Sequence, residues 1–177
     1  MIRWVVLLYS VVLNPTRRVT AQDLTTLAVG IGVLSIKTVL STGNLILDDN
    51  STEADLTARL EAAIAQDWGK AMPVLVRSAA DWRALVAVNP FPEPSLRDPA
   101  KVAVRVMRHE PDPATLAKIS QKTAADDQFA ATPRALWLAS AHPLGTSPLL
   151  RALSSAKVGI GTWRNASALT KIAAALD

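Results

Sequence analysis

The chain opens on an apolar run. From Ile2 to Val11 valine and leucine dominate, which predicts a buried strand. The period then changes. Thr20-Ala21-Gln22-Asp23 has the form of a capping box and predicts a helix ending near Gly30 and Gly32. Ile36–Leu40 and Leu45–Asp48 read as short strands joined across Ser41-Thr42-Gly43-Asn44, where glycine and asparagine tolerate a positive φ. Thr52-Glu53-Ala54-Asp55 caps a second helix, in which Leu56, Leu60, Ile64 and Trp68 recur every four residues and mark the face laid on a sheet. Met72–Val76 is again a strand. Ser78-Ala79-Ala80-Asp81 starts a helix that buries Trp82, Leu85 and Val86 before Asn89-Pro90 stops it.

Four of the eleven prolines fall between Pro90 and Pro99, a density that breaks ladders and helices and predicts a semi-rigid connection. Beyond it the order of elements returns: strand Val102–Met107, helix from Asp112-Pro113, strands near Gln128–Ala131 and Ala135–Leu138, helix from Ser147-Pro148, strand near Ile160–Trp163 and a last helix. That helix carries Leu169, Ile172, Ala173 and Leu176 on one stripe. Both halves read βαββαβ with a helix appended. The fold class expected is therefore α+β, two ferredoxin-like units in tandem, each an antiparallel sheet with helices on one face. The boundaries follow as residues 1–89, a linker at 90–99, and residues 100–177. The repeat is one of element order, with no convincing residue-by-residue similarity between the halves.

Composition narrows the function classes. At 177 residues, half of them hydrophobic and 19% charged, the chain is globular rather than disordered. It has no cysteine, which removes disulfides, thiolate metal sites and a cysteine nucleophile. Met1-Ile2-Arg3 before the apolar run looks somewhat like a secretory signal. No small-x-small cleavage site follows, and ten residues are too few to span a bilayer, so the strand reading prevails. Eight basic and eight acidic residues balance up to Asn89, whereas eleven basic residues face seven acidic ones beyond it. The whole excess of +4 thus lies in the second half, a modest bias toward anionic partners that is weaker than a dedicated nucleic-acid footprint.

No motif specifies a reaction. Gly30-Ile31-Gly32 and Gly159-Ile160-Gly161 lack the third glycine of a dinucleotide fingerprint, and no Gly-Lys-Ser/Thr phosphate loop exists. His109 and His142 stand far apart without partners at ligand spacing, so no metal and no cofactor are expected. Ser147, ahead of Pro148, suits a helix cap better than a nucleophile. Two polar groups remain, Thr42-Gly43-Asn44 and Thr162-Trp163-Arg164-Asn165. Their plain reading is a hairpin turn and a capped helix. Their functional reading is an anion site, with N–H groups at the start of the last helix, Arg164 forking onto a phosphate or carboxylate, and Arg17 and Arg18 adding charge.

Several segments resemble one bacterial family. Arg18-Val19 with Asp23-Leu24, Thr38-Val39-Leu40-Ser41-Thr42-Gly43-Asn44, Pro73-Val74-Leu75-Val76-Arg77, Asn89-Pro90-Phe91-Pro92, and Gly161-Thr162 with Arg164-Asn165 before Thr170-Lys171 resemble, in order, the domain of unknown function 1697. The resemblance implies a soluble cytoplasmic protein of two small α+β units and supplies no established activity. Where that family usually carries Arg-Gly-Ile-Asn-Val-Gly-Gly, this chain has Tyr9-Ser10-Val11-Val12-Leu13-Asn14-Pro15. A family Ser-Lys-Leu is Ser147-Pro148-Leu149, and a family tryptophan is Ala166. Loop chemistry is thinned on a retained scaffold.

Three readings follow. The first is a binding module for a small anion or a nucleic-acid backbone, using Arg17, Arg18, Thr42, Asn44, Ser147, Thr162, Arg164, Asn165 and Lys171. The second is a small-molecule enzyme with a site between the lobes, and the third a structural or interaction protein marked by an exposed edge strand or apolar patch. No membrane partner is expected, and the protein is a monomer or a homodimer.

Overall fold

The opening run folds as β1 (Ile2–Leu8), shorter than the strand expected, in a computed structural model that describes residues 1–41, 43–121, 126–153 and 155–177. Local side-chain bonds end it. Ser10 Oγ accepts the Val12 N–H at 3.0 Å, and Asn14 Oδ1 accepts from the N–H groups of Thr16 and Arg17. Such short-range bonds turn the backbone out of a ladder. The following residues pair only with each other, as the ribbon β2 (Val12–Asn14) and β3 (Arg17–Arg18).

The first sheet adds β4 (Leu34–Thr38), β5 (Asn44–Asp49) and β6 (Val74–Ser78) in the order β4-β5-β1-β6, every neighbour antiparallel. On it lie α1 (Ala21–Gly30) and α2 (Glu53–Trp68). Thr20 and Asp23 close the capping box reciprocally, and the Thr52 side chain accepts the Asp55 N–H. Trp4, Val6 and Leu8 of β1 join Leu24 and Leu27 of α1 and Leu56, Leu60 and Ile64 of α2 in one core. Val5 and Leu7, which alternate with them, are also fully buried. Burial on both faces is why β1 reads as a continuous apolar run.

The chain then runs through α3 (Ala79–Ala87) and the proline-rich segment, which is not irregular as the proline density predicts. It holds α4 (Pro92–Arg97) and a 3-10 turn at Pro99–Lys101. Pro92 and Pro94 sit in the first turn of α4, where a missing N–H removes no intrahelical bond.

The second sheet comprises β7 (Val102–Met107), β8 (Asp127–Thr132), β9 (Ala135–Ser140) and β10 (Gly161–Asn165) in the order β10-β7-β9-β8. Its helices are α5 (Pro113–Ser120), α6 (Pro148–Ala152) and α7 (Ser155–Val158), followed by α8 (Ala166–Ala174). Met107, Leu136 and Leu138 of the sheet meet Ile119, Leu149, Leu153 and Val158 in its core. Each sheet thus places its fourth strand beside the first and its third between first and second, the ferredoxin-like order expected. By internal contacts the chain divides into Met1–Ala84 with Lys171–Asp177, and Leu85–Thr170, so the divisions fall within α3 and α8.

A residue-level likeness also emerges that the sequence reading does not find. Arg77 stands opposite Val5 of β1, and Arg164 opposite Val104 of β7. Each arginine is the penultimate residue of its fourth strand, and each Nη1 donates to the preceding carbonyl at 2.7 Å. Each is followed by a helix cap: Ser78 Oγ accepts the Asp81 N–H, and Asn165 Oδ1 accepts the Ala168 N–H. Among the described residues no helix is long and apolar enough to cross a membrane.

Candidate functional site

In the second unit β10 delivers Thr162, Trp163, Arg164 and Asn165 to the start of α8. Strand alternation turns Arg164 and Thr162 to one face, and Arg164 Nη1 donates to Thr162 Oγ1 at 3.1 Å. Both are buried. Burial pulls the Arg164 guanidinium down to about 10, because a low-polarity surrounding disfavours its charged form. Asn165 is exposed and caps α8. Trp163 packs against the core from the other face, and Arg105 lies over its ring at 5.8 Å from the centroid. That indole face therefore stacks on a guanidinium of the same unit.

Ser147 lies where β8 begins and β9 ends. Its Oγ donates to Asp127 Oδ2 at 2.5 Å and accepts the Leu149 N–H at 3.2 Å, with both Ser147 and Asp127 buried. His142 does not engage it: its Nε2 lies 3.3 Å from Asp126 Oδ2, on exposed side chains. This corner gathers a serine, a histidine and two aspartates without lining them up as nucleophile, base and orienting acid. Among the described residues no group of three or more His, Asp or Glu is placed to hold a metal ion.

Arg17, Arg18, Asn44 and Lys171 belong to the first unit. Arg17 and Arg18 are exposed on β3, with Arg17 Nη2 3.4 Å from Asp23 Oδ1. Asn44 is buried at the start of β5, its Nδ2 donating to the Val39 carbonyl at 2.8 Å, so it closes the β4–β5 hairpin. Lys171 is exposed on α8, and Thr42 lies outside the described residues. The unit also has a cavity of about 310 Å³ lined in part by Asp48, Asp49, Ser51 and Arg59, and none of the described candidates lines it. Burial pushes the Asp49 carboxyl up, but bonds from Ser51 and Arg59 outweigh it and hold Asp49 below its usual range.

A group of basic side chains that the sequence reading does not assemble collects at one end of the second sheet. There β7 exits through Arg108 and His109, the β8–β9 turn passes through Arg134, and the chain enters β10 after Lys157. Antiparallel topology brings these segments together. Met107 N donates to the Arg134 carbonyl at 2.9 Å, and Arg108 N to the Ile160 carbonyl at 2.8 Å. Arg134 Nε and Nη2 both donate to the Arg108 carbonyl, at 3.1 and 2.8 Å. Arg134 holds φ at +52°, uncommon for a residue with a side chain, and its N–H is taken by Glu110 Oε1 at 2.9 Å. His109 and Lys157 are exposed, and Arg108 and Arg134 half-buried. The one usable signal in the sequence is the basic excess of the second half.

A family model described as protein of unknown function (DUF1697) matches residues 1–137, which leaves the β10–α8 segment outside the matched region. No curated protein matches the chain. Among solved structures, the conserved bacterial protein SP0830 from Streptococcus pneumoniae is similar over 99% of each chain, with a TM-score of 0.77 and 17% sequence identity. At that identity the likeness speaks to the fold alone.

Proposed function

The chain belongs to the DUF1697 family of proteins of unknown function, and from that premise we propose that it is a binding protein for an anionic group, a small anion or the phosphate backbone of a nucleic acid. Its receiving surface is the basic end of the second sheet: Arg108, His109, Arg134 and Lys157. The observation that carries the reading is the double hydrogen bond from Arg134 to the Arg108 carbonyl, which holds one guanidinium beside the backbone that carries another. Like charges repel, and a second anchor such as this keeps the cluster assembled without a ligand. A preorganised cationic surface binds phosphate through Coulombic attraction and forked N–H donation. The sequence candidates Asn44, Ser147 and Asn165 already serve a hairpin or a helix cap, so they add little to it.

The test is titration with inorganic phosphate, followed by calorimetry, and with a labelled single-stranded oligonucleotide, followed by fluorescence anisotropy. Oligonucleotide affinity is expected to fall steeply with salt, and Arg108→Gln or Lys157→Gln to lower the slope of log affinity against log salt by about one each. Binding of phosphate but not the oligonucleotide identifies a small-anion site. If neither ligand binds at low salt, or binding ignores both salt and these substitutions, the reading fails.

A further inference from the structure

The basic end of the second sheet also carries an acid. Pro133 and Arg134 make the turn between Thr132 and Ala135, the last pair of the β8–β9 ladder. Arg134, at φ +52°, presents its backbone N–H outside that ladder, and Glu110 Oε1 accepts it at 2.9 Å. Glu110 is exposed and follows Arg108 and His109. A carboxylate is thereby fastened on the surface that Arg108, His109, Arg134 and Lys157 make positive. It does not neutralise them by direct contact: among the described residues Glu110 forms no ion pair, and its side chain bonds only to main chain. Its backbone is held as well, because the Pro111 that follows is buried and confines the residue before it to an extended conformation. Fixed at the turn through Oε1, the carboxylate keeps Oε2 as an acceptor that no described residue uses.

An acceptor set in a cationic surface sorts anions by the protons they carry. Sulfate and a phosphodiester offer only oxygen lone pairs at neutral pH, and a carboxylate repels both. A phosphomonoester, whose second proton leaves near pH 6, is mostly in the same condition. Inorganic phosphate keeps at least one proton at neutral pH. It can turn its charged oxygens to the guanidinium groups and its P–OH to Oε2 of Glu110, and a hydroxyl bonded to a carboxylate is among the stronger hydrogen bonds.

Resting on the reading that this end of the sheet binds anions, we propose that its ligand is inorganic phosphate in a protonated form. Glu110 is the residue that selects it, by accepting a hydrogen bond from the phosphate hydroxyl. The proton stays on the phosphate, so this is recognition and not proton transfer. The same carboxylate disfavours sulfate and the phosphodiester backbone of a nucleic acid, which have no hydroxyl to offer it. The basic residues thus supply attraction for any anion, and the one anchored acceptor supplies the choice among them.

Calorimetric titration of the full chain with sodium phosphate and with sodium sulfate, at neutral pH and equal ionic strength, tests this. The two ions match in shape and differ in the proton. Phosphate is expected to bind about three- to tenfold more tightly, the worth of one hydrogen bond. Glu110→Gln keeps an oxygen for the Arg134 N–H while replacing the charged acceptor by an amide donor, and is expected to raise sulfate affinity and bring the ratio to about one or below. In the unaltered chain the backbone amide resonances of His109, Glu110 and Arg134 should shift as phosphate is added. Equal affinity for the two ions, a preference that survives Glu110→Gln, or amide shifts that leave these residues unmoved overturns the selection by Glu110. The first two of these outcomes leave the anion-binding reading standing. If neither ion binds, that reading falls and the selection falls with it.

Discussion

Ser147 shows how a residue suited to chemistry is taken up by structure. Its hydroxyl donates to the buried Asp127 carboxylate and accepts the Leu149 N–H at the start of α6, and the residue is itself buried, so both bonds serve the fold. The cap is legible in the sequence, because Ser147-Pro148 announces it locally. The tether is not, since Asp127 stands twenty residues earlier and only the fold brings it near. Ser147→Ala would remove the cap and leave the buried Asp127 carboxylate short of a donor. The expected loss is about 1–3 kcal/mol, read as a lower urea midpoint with an unchanged slope. An unchanged midpoint would mean that neither bond contributes and would return this serine to the list of reactive groups.

At the scale of elements the legible features are those written within one turn. Thr20 with Asp23, Thr52 with Asp55, Ser78 with Asp81 and Asp112 with Thr115 are pairs three residues apart, and each holds as a cap. The proline-rich segment misleads because density is a poorer guide than position: the prolines fall where α4 needs no N–H. The matching ends of β6 and β10 stay hidden because only Arg, a capping residue and Ala coincide, too little to notice until register aligns them. Asn165 belongs to this device rather than to a ligand. Asn165→Ala is expected to cost about 1 kcal/mol of stability, the loss of a cap. It should leave phosphate affinity unchanged, and a parallel fall in affinity would reassign the residue to the binding surface.

For the whole molecule, what the sequence hides is contact at long range. The basic end of the second sheet needs residues 26 apart to meet, and the residues after α8, which belong to the first unit, are held within it by Arg3 on the Leu176 carbonyl, Lys37 on the Ala175 carbonyl and Arg83 on Asp177. Cations at a helix C-terminus oppose its dipole as well as satisfying its carbonyls. Arg3 also holds Asp48, with Nε 3.0 Å from Oδ1 and Nη2 3.1 Å from Oδ2. That hydrogen bond, helped by Ser35, keeps the Asp48 carboxyl below its usual range. The Thr20 backbone N–H does the same for Asp23, and the Thr115 hydroxyl for Asp112. With Asp49, four carboxyls thus bind protons less readily folded than unfolded. Their contribution is complete above the unfolded value of about 4 and is lost as pH falls through the lower folded values, so stability should be level near neutrality and drop below about pH 4. Arg3→Met raises the Asp48 titration toward its ordinary position, and Asp48 then begins to take up protons at a higher pH. Its side-chain titration followed by NMR should move upward in the variant, and the fall of the urea midpoint with acid should become shallower, because a carboxyl that titrates alike folded and unfolded contributes no pH dependence. An Asp48 titration that is identical with and without Arg3 would show that the bidentate contact does not hold this carboxyl in solution, and the acid limb would then belong to Asp23, Asp49 and Asp112.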